Sequence, residues 1–244
     1  MLGGRLYLAP IGENPQRILD IGTGTGIWAI EMGDEHPSAE ILGNDLRVPP
    51  NVRFEIDDAE DTWTYSTPFD YIHCRYMAGS ILDWPRLVRQ AYKLSCPPSA
   101  TFKAGHTKPG GWVEFSDWDL HPYSSDGTLK PDSAYLKQHQ ITLHACDQIG
   151  RDASPGEKLF SRLKAAGFQN LIHQVFKLPM GPWAKNSKLK ELGAFNLLQY
   201  LEGVEGFTLA PFTRVLGWTP QEVQVFLVDV RRDCRDPKIH AQYD

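Results

Sequence analysis

The 244 residues predict an α/β protein built on a doubly wound, mostly parallel sheet. Three observations carry that expectation. Arg17-Ile18-Leu19-Asp20-Ile21 reads as a short strand whose apolar residues suit burial on both faces. Gly22, Gly24 and Gly26 follow at every second position. Glycine there permits positive φ or close approach of a ligand, and the amides of such a turn, with a helix N-terminus behind it, suit an anionic group such as a carboxylate. Beyond it, strand-like runs alternate with helical stripes for more than a hundred residues.

The glycine spacing selects among nucleotide-binding loops. A G-x-G-x-x-G fingerprint needs a glycine where Ile27 stands, and no G-x-x-x-x-G-K-[ST] loop is present. What stands is D-x-G-x-G-x-G, from Asp20 to Gly26. That pattern resembles motif I of class I S-adenosylmethionine (SAM) methyltransferases. The resemblance assigns Asp20, Gly22, Thr23, Gly24 and Gly26 to the cofactor.

In chain order, Leu6–Pro10 is an apolar patch expected beside the first strand. The first helix opens at Gly24 or Thr25, covers the sheet with Ile27, Trp28, Ile30 and Met32, and ends at Gly33 and Pro37. Ala39–Asp45 reads as strand two. Asp45 at its carboxyl end is placed to accept hydrogen bonds from both ribose hydroxyls, since ligands of doubly wound sheets sit there. Val52–Asp57 reads as strand three. After it, Asp58-Ala59 resembles the family's acid-small pair beside the adenine; a solvated acidic turn is the alternative. Phe69–Tyr76 reads as strand four, with Arg75 placed either to reach the cofactor's carboxylate or to form a surface ion pair.

Asp83 caps the next helix, whose stripe is Leu87, Val88, Ala91 and Leu94. Residues 95–106 lack periodicity and read as an atypical surface loop, the product of a translated intron or gene-model error. Lys108-Pro109-Gly110-Gly111 is a tight turn feeding strand five. A second region begins near His121. Asp132-Ser133 caps a helix with a Leu136, Leu143, Cys146 and Ile149 stripe; Ser154-Pro155-Gly156-Glu157 is a capping box before a helix that Gly167 stops. Leu171–Leu178 reads as strand six. Ser187–Leu201 is a leucine-rich helix, and Thr219-Pro220-Gln221-Glu222 is a capping box opening a final helix with Val223, Phe226, Leu227 and Val230. These boundaries give a core over 1–178 and a helical lid or acceptor region over 179–244.

Composition excludes several classes. Twenty-five basic against thirty acidic residues leave a net charge of −5, with no long basic run, which disfavours nucleic acid. Four dispersed cysteines lack metal or disulfide spacing, so no metal site is expected and the thiols suit a reducing, cytoplasmic or nuclear compartment. No apolar run approaches the ~18 residues of a membrane span, and no signal peptide opens the chain.

Taken together, ILDIGTGTGIWAIEM, FEIDDAEDTW, FDYIHCRYMAGS, KPGGWVEFSDWDLHPYSSDGTL, GPWAKNSKLKELG and GWTPQEVQVFL resemble the LaeA-like methyltransferases of filamentous fungi. The resemblance implies a Rossmann-like class I methyltransferase fold with a helical lid inserted after strand six, and SAM as cofactor. It implies either methylation of a small-molecule acceptor in secondary metabolism or regulation through protein partners. Relatives carry a further N-terminal helical region, a longer loop after Asp45 and a seventh strand; the expectation here is a sheet without that strand, and a degenerate, weakly active product is a third reading. If the acceptor is a hydroxyl, a histidine can take its proton. His121, after strand five, is the first candidate catalytic base and His73 the second.

Overall fold

The computed structural model describes residues 3–43, 51–54, 58–92 and 106–244. Asp45, the loop after it, and residues 95–105 of the atypical segment lie outside them. The described chain packs as two compact units. The first comprises Met1–Met77, Asp83–Asp117 and Lys158–Ile172; the second comprises Ala78–Leu82, Trp118–Glu157 and His173–Asp244.

The first unit is a five-stranded parallel sheet in the order β3-β2-β1-β4-β5. Its strands are β1 (Arg17–Ile21), β2 (Glu40–Gly43), β3 (Val52–Phe54), β4 (Phe69–Arg75) and β5 (Thr107–Ser116). Ile18, Ile41, Val52 and Tyr71 sit on one face, where they meet Trp28, Ala29 and Met32 of helix α1 (Ile27–Glu35). Their neighbours Leu19, Leu42 and Ile72 take the other face by strand alternation, and they are buried too. The N-terminal patch packs as expected: Leu6, Tyr7 and Ala9 join the α1-side core, and Leu6 accepts the Trp28 indole N–H at 2.9 Å. Glu114 ties the patch to β5 by accepting the Leu8 and Ala9 amides at 2.8 and 2.9 Å.

Several expected details change. Helix α1 starts at Ile27, and Ile27 itself is exposed because the three positive-φ glycines delay the first helical turn. It runs through Gly33, where an added Cβ would lie 2.7 Å from Val52 Cγ2; this glycine lets helix and strand approach and does not stop the helix. Pro109-Gly110-Gly111 lies inside β5, as an irregularity in its pairing with β4, and not before it. A Cβ at Gly111 would stand 2.9 Å from the Asp70 carbonyl oxygen. His106, expected on the surface, is buried, with Nδ1 2.8 Å from the Gln90 carbonyl. Helix α2 (Trp84–Tyr92) has the expected buried Leu87, Val88 and Ala91, and Asp83 accepts the Arg86 amide at its start. Helix α4 (Gly156–Ala166) ends at Gly167, which lies against the Tyr92 ring.

The second unit centres on α3 (Ala134–Gln148), α5 (Ser187–Ala210) with a π-helical turn at Pro211–Val215, and α6 (Pro220–Arg235). Val204, Phe212, Val223, Leu227 and Val230 form its core with Tyr135 and Tyr243. Residues 171–177 carry no strand. β6 is only Leu178–Pro179, and it pairs antiparallel with β7 (Gln242–Tyr243) in a separate two-stranded ribbon. Among the described residues no sixth or seventh strand continues the parallel sheet beyond β5. No helix among them is long and apolar enough to cross a membrane.

Of the expected α3 stripe only Cys146 is buried, and Ile149 is exposed; Tyr135, Gln138 and His139 make up most of the inward face. The inward polar groups are satisfied by one another: Tyr200 donates to Gln138 Oε1 at 2.9 Å, and Gln138 Nε2 donates to Thr208 at 3.0 Å. Ser133 does not cap the helix. Asp233 of α6 does, accepting from the Ser133 hydroxyl at 2.8 Å and the Ala134 amide at 2.7 Å.

Candidate active site

Parallel pairing aligns the carboxyl ends of β1 and β4, with Asp20 opposite His73 and Ile21 opposite Cys74. The glycine turn leaves β1 there. Gly22, Gly24 and Gly26 all have positive φ, at 70°, 58° and 76°. The buried Thr23 pins the turn from inside: its hydroxyl donates to the Asp20 carbonyl at 3.0 Å and its own carbonyl accepts from Gly26 N at 3.1 Å. Gly24 is exposed, and a Cβ on it would meet only the Gly22 carbonyl oxygen, at 4.0 Å. Helix α1 then starts with no side-chain cap and no acid in its first turn. Its N-terminal amides are thus left to water or an anionic ligand.

Asp20 and His73 form a buried pair under this turn, with Nδ1 and Oδ1 2.7 Å apart. The imidazole stacks on Trp28 at 3.8 Å between centroids. Asp20 is therefore engaged by His73, and the second candidate base is a buried strut beneath the loop. Cys74 beside it is wholly buried; burial first, then the charges of Asp117 and Asp20, push its thiol well above the ordinary range.

The loop after β4 closes on the turn. Tyr76 adopts φ 60°, a left-handed conformation that costs a non-glycine residue of order 1–3 kcal/mol and is commonest where function demands it. Met77 then presses on Gly22, where a Cβ would fall 2.2 Å from Met77 Sδ. The Met77 amide donates to Asp117, one residue past β5, at 2.7 Å. Arg75 holds its guanidinium over the Tyr76 ring at 5.2 Å and makes no ion pair among the described residues.

Asp58 is exposed and shapes its own turn: its carboxylate accepts from Glu60 N at 2.9 Å, and its carbonyl from Asp61 N at 2.9 Å. Ala59, half-buried, accepts the Trp63 indole N–H at 2.9 Å, which anchors the turn to a buried ring. The structure thus gathers Asp20, the glycines, Thr23 and Arg75 at one end of the sheet, and Asp45 lies outside the described residues. Sequence reasoning missed Tyr76, Met77 and Asp117, because nothing local in F-D-Y-I-H-C-R-Y-M marks the positive φ or the contact with Gly22.

In the second unit, His121 belongs to a three-residue cluster. Its Nδ1 is 2.5 Å from Asp119 Oδ1 and 3.3 Å from Ser154 Oγ. Ser154 Oγ donates to the same Asp119 oxygen at 2.7 Å and accepts from Leu120 N at 3.0 Å. The Ser154 hydroxyl expected in a capping box is thus turned to Asp119. No group of three or more metal-ligating side chains occurs among the described residues.

Comparison with known proteins agrees with this geometry. A family model described as "Methyltransferase domain" matches residues 1–173. Methyltransferase pytC of Aspergillus terreus is 46% identical over 251 residues, covering 100% of this chain and 74% of its own. Secondary metabolism regulator LAE1 of Cochliobolus heterostrophus is 36% identical over 251 residues, covering 98% and 78%. Among solved structures, a Haemonchus contortus phosphoethanolamine N-methyltransferase 2 in complex with SAM shares the fold with a TM-score of 0.51 at 18% identity, over 95% of this chain and 47% of that one. With a parallel sheet ordered β3-β2-β1-β4-β5 and its glycine turn after β1, the chain belongs to the methyltransferase-domain family, among the LaeA-like proteins of fungal secondary metabolism.

Proposed function

We propose that the chain binds SAM at the glycine turn and methylates a small molecule in fungal secondary metabolism. The observation that carries the reading is the turn itself: three positive-φ glycines, an open Gly24 and an uncapped helix N-terminus. These features fit the methionine carboxylate of SAM, which amides of the 22–26 turn other than that of Gly26 would hold with Arg75 as a cationic neighbour. Asp45 would accept from the ribose hydroxyls, and Asp58 with Ala59 would border the adenine. Bound SAM supplies an electrophilic methyl group on a sulfonium. The protein's part is alignment, worth up to ~7–11 kcal/mol when reacting atoms are well oriented, and His121 is its candidate base if the acceptor is a hydroxyl.

Calorimetric titration with SAM and S-adenosylhomocysteine tests the cofactor site, and labelled SAM incubated with fungal culture extract tests transfer. Binding with a methylated extract component is the expected result. Failure of both compounds to bind refutes the reading. The 36% identity to LAE1, named a secondary metabolism regulator, favours a second reading in which the same domain acts through protein partners. Transfer to a protein in the extract, with none to small molecules, selects it. A melting transition that rises with SAM argues against a degenerate product.

A further inference from the structure

We propose that Asp117 is a positioning residue of the cofactor site: it fixes the corner after β4 so that Met77 backs Gly22 and holds the glycine turn in one shape before a ligand arrives. The proposal rests on the methyltransferase reading above and deepens it. Every residue it uses belongs to the first unit.

A turn of three glycines is free backbone, and that freedom works against binding. Glycine loses more conformational entropy on ordering than any other residue, so a turn that already waits in the bound shape binds more tightly than one the ligand must order. Two devices hold this turn. Thr23 pins it from inside, through the Asp20 carbonyl and Gly26 N. Met77 covers it at Gly22: the three heavy atoms nearest to the position a Gly22 Cβ would take are Met77 Sδ, Cε and Cγ. Gly22 is otherwise exposed, so Met77 walls one side and leaves the rest open.

A methionine side chain is flexible, and it makes a firm wall only where its own backbone is held. Parallel pairing of β4 with β5 ends with Arg75 opposite Ser116. Beyond that pair, Tyr76 N donates to the Ser116 carbonyl at 3.2 Å, and the chain turns through the left-handed φ of 60° at Tyr76. That conformation disfavours any residue with a Cβ, so the corner relaxes unless the next residue is tied. The tie is the Asp117 carboxylate, whose Oδ2 accepts the Met77 amide at 2.7 Å. A hydrogen bond to a charged group is about twice as strong as a neutral one. Asp117 thus supplies with its side chain the acceptor that one more step of the ladder would have supplied with a carbonyl. Its carboxylate stands close enough to β4 to raise the buried Cys74 thiol, second only to burial itself.

This role belongs to the acceptor oxygen of Asp117 and not to its charge acting on a ligand, and the two separate by experiment. Binding of S-adenosylhomocysteine to the full chain is followed by calorimetry. Asp117→Leu is expected to weaken it about tenfold, the worth of one charged hydrogen bond. Asp117→Asn keeps an acceptor for the Met77 amide and should stay within about threefold of the wild type. Met77→Ala should weaken binding on its own, and adding Asp117→Leu to it should cost little more, because both remove the same wall.

Methyl carbon-13 NMR without ligand reads the wall itself. The chain has four methionines, and Met32, buried in the core of the same unit, reports whether that unit is folded. The Met77 methyl should hold a dispersed position in the wild type and in Asp117→Asn. In Asp117→Leu it should move toward the position of a free methionine while Met32 stays in place. A Met77 methyl unmoved in Asp117→Leu, full binding by Met77→Ala, or Asp117→Asn as weak as Asp117→Leu overturns the proposal and leaves the methyltransferase reading standing. If Asp117→Leu unfolds and loses the Met32 signal, Met77→Ala and Asp117→Asn still decide. A wild type that binds neither SAM nor S-adenosylhomocysteine removes that reading, and this proposal with it.

Discussion

Gly22 shows how two constraints meet on one backbone atom. Its φ of 70° disfavours any side chain, and its missing Cβ makes the space that Met77 Sδ fills. Gly22→Ala is expected to destabilise the first unit by about 2 kcal/mol, of which ~1–2 is the left-handed backbone and the rest overpacking. SAM binding should weaken by about tenfold or more, since 1.4 kcal/mol is a factor of ten. Adding Met77→Ala removes the clash but not the backbone term, so the double variant should recover only part of both losses in urea unfolding and calorimetry. Full recovery would show that φ is irrelevant; no recovery would show that Met77 is. The glycine half of this pair was legible, because a turn's φ requirement is local and glycine advertises it. The Met77 half was not, because the contact spans 55 residues. Ser154 failed for a related reason. In S-P-G-E it matches a capping box, yet Asp119, 35 residues earlier, takes its hydroxyl.

At the scale of elements, a helix end reads correctly when its cap is local and incorrectly when its cap comes from afar. The Thr219 box is complete as expected: Thr219 Oγ1 accepts from Glu222 N, and Glu222 accepts from Thr219 N at 2.7 Å, which holds the Glu222 carboxyl below its usual range. Helix α3 looked capped by Ser133 but is capped by Asp233, a hundred residues on. Asp233→Ala should therefore destabilise the second unit by about 1–2 kcal/mol and speed hydrogen exchange in the first turn of α3. Ser133→Ala should cost less, since the Ala134 and Tyr135 amides, 2.7 and 3.4 Å from Asp233 Oδ2, keep their acceptor. Equal losses for the two variants would contradict this ranking. A second close approach joins α5 to β6: a Cβ at Gly193 would lie 2.1 Å from the Gly181 carbonyl oxygen, and Gly193 O accepts from Gly181 N at 3.0 Å. Because backbone, not a flexible side chain, stands in the way, Gly193→Ala should cost about 3 kcal/mol in chemical denaturation. A loss under about 1 kcal/mol would mean that α5 can shift away from the turn. Inside a leucine-rich helix this glycine looks merely unfavourable. Only the packing gives its reason.

For the whole chain, the parallel sheet was legible because each buried strand carries its own apolar signature, while the absence of strand six from that sheet among the described residues was not. Leu171–Leu178 carries the β-branched and aromatic residues Ile172, Val175 and Phe176 that strands favour, yet only Leu178 enters a strand, and its partner is Tyr243. That ribbon closes a buried polar ring whose titration sets how the chain answers to acid. His139 Nδ1 donates to the Tyr135 carbonyl at 3.0 Å, so Nε2 is an acceptor and takes the Tyr243 hydroxyl proton at 2.7 Å. Tyr135 then donates to Tyr243, and the His139 ring stacks on Tyr200. The groups around the imidazole are therefore three tyrosines, with Cys234 acting on those tyrosines, all pushed up by burial and neutral at physiological pH, and His121 lowers the imidazole a little further. Burial, more than any partner, brings His139 down to about 4. An unfolded histidine titrates near 6.5. Between those two values the unfolded chain takes up a proton that the folded chain refuses, so stability rises with pH across the window and falls on acidification. The contribution is complete above about pH 6.5, and about 2 kcal/mol of it should be gone at pH 5. His139→Gln keeps a polar group in the ring but cannot titrate. It should be less stable than the wild type at pH 7 and lose much less between pH 7 and 5 in urea unfolding. Parallel losses in the two proteins over that interval would place the acid sensitivity elsewhere.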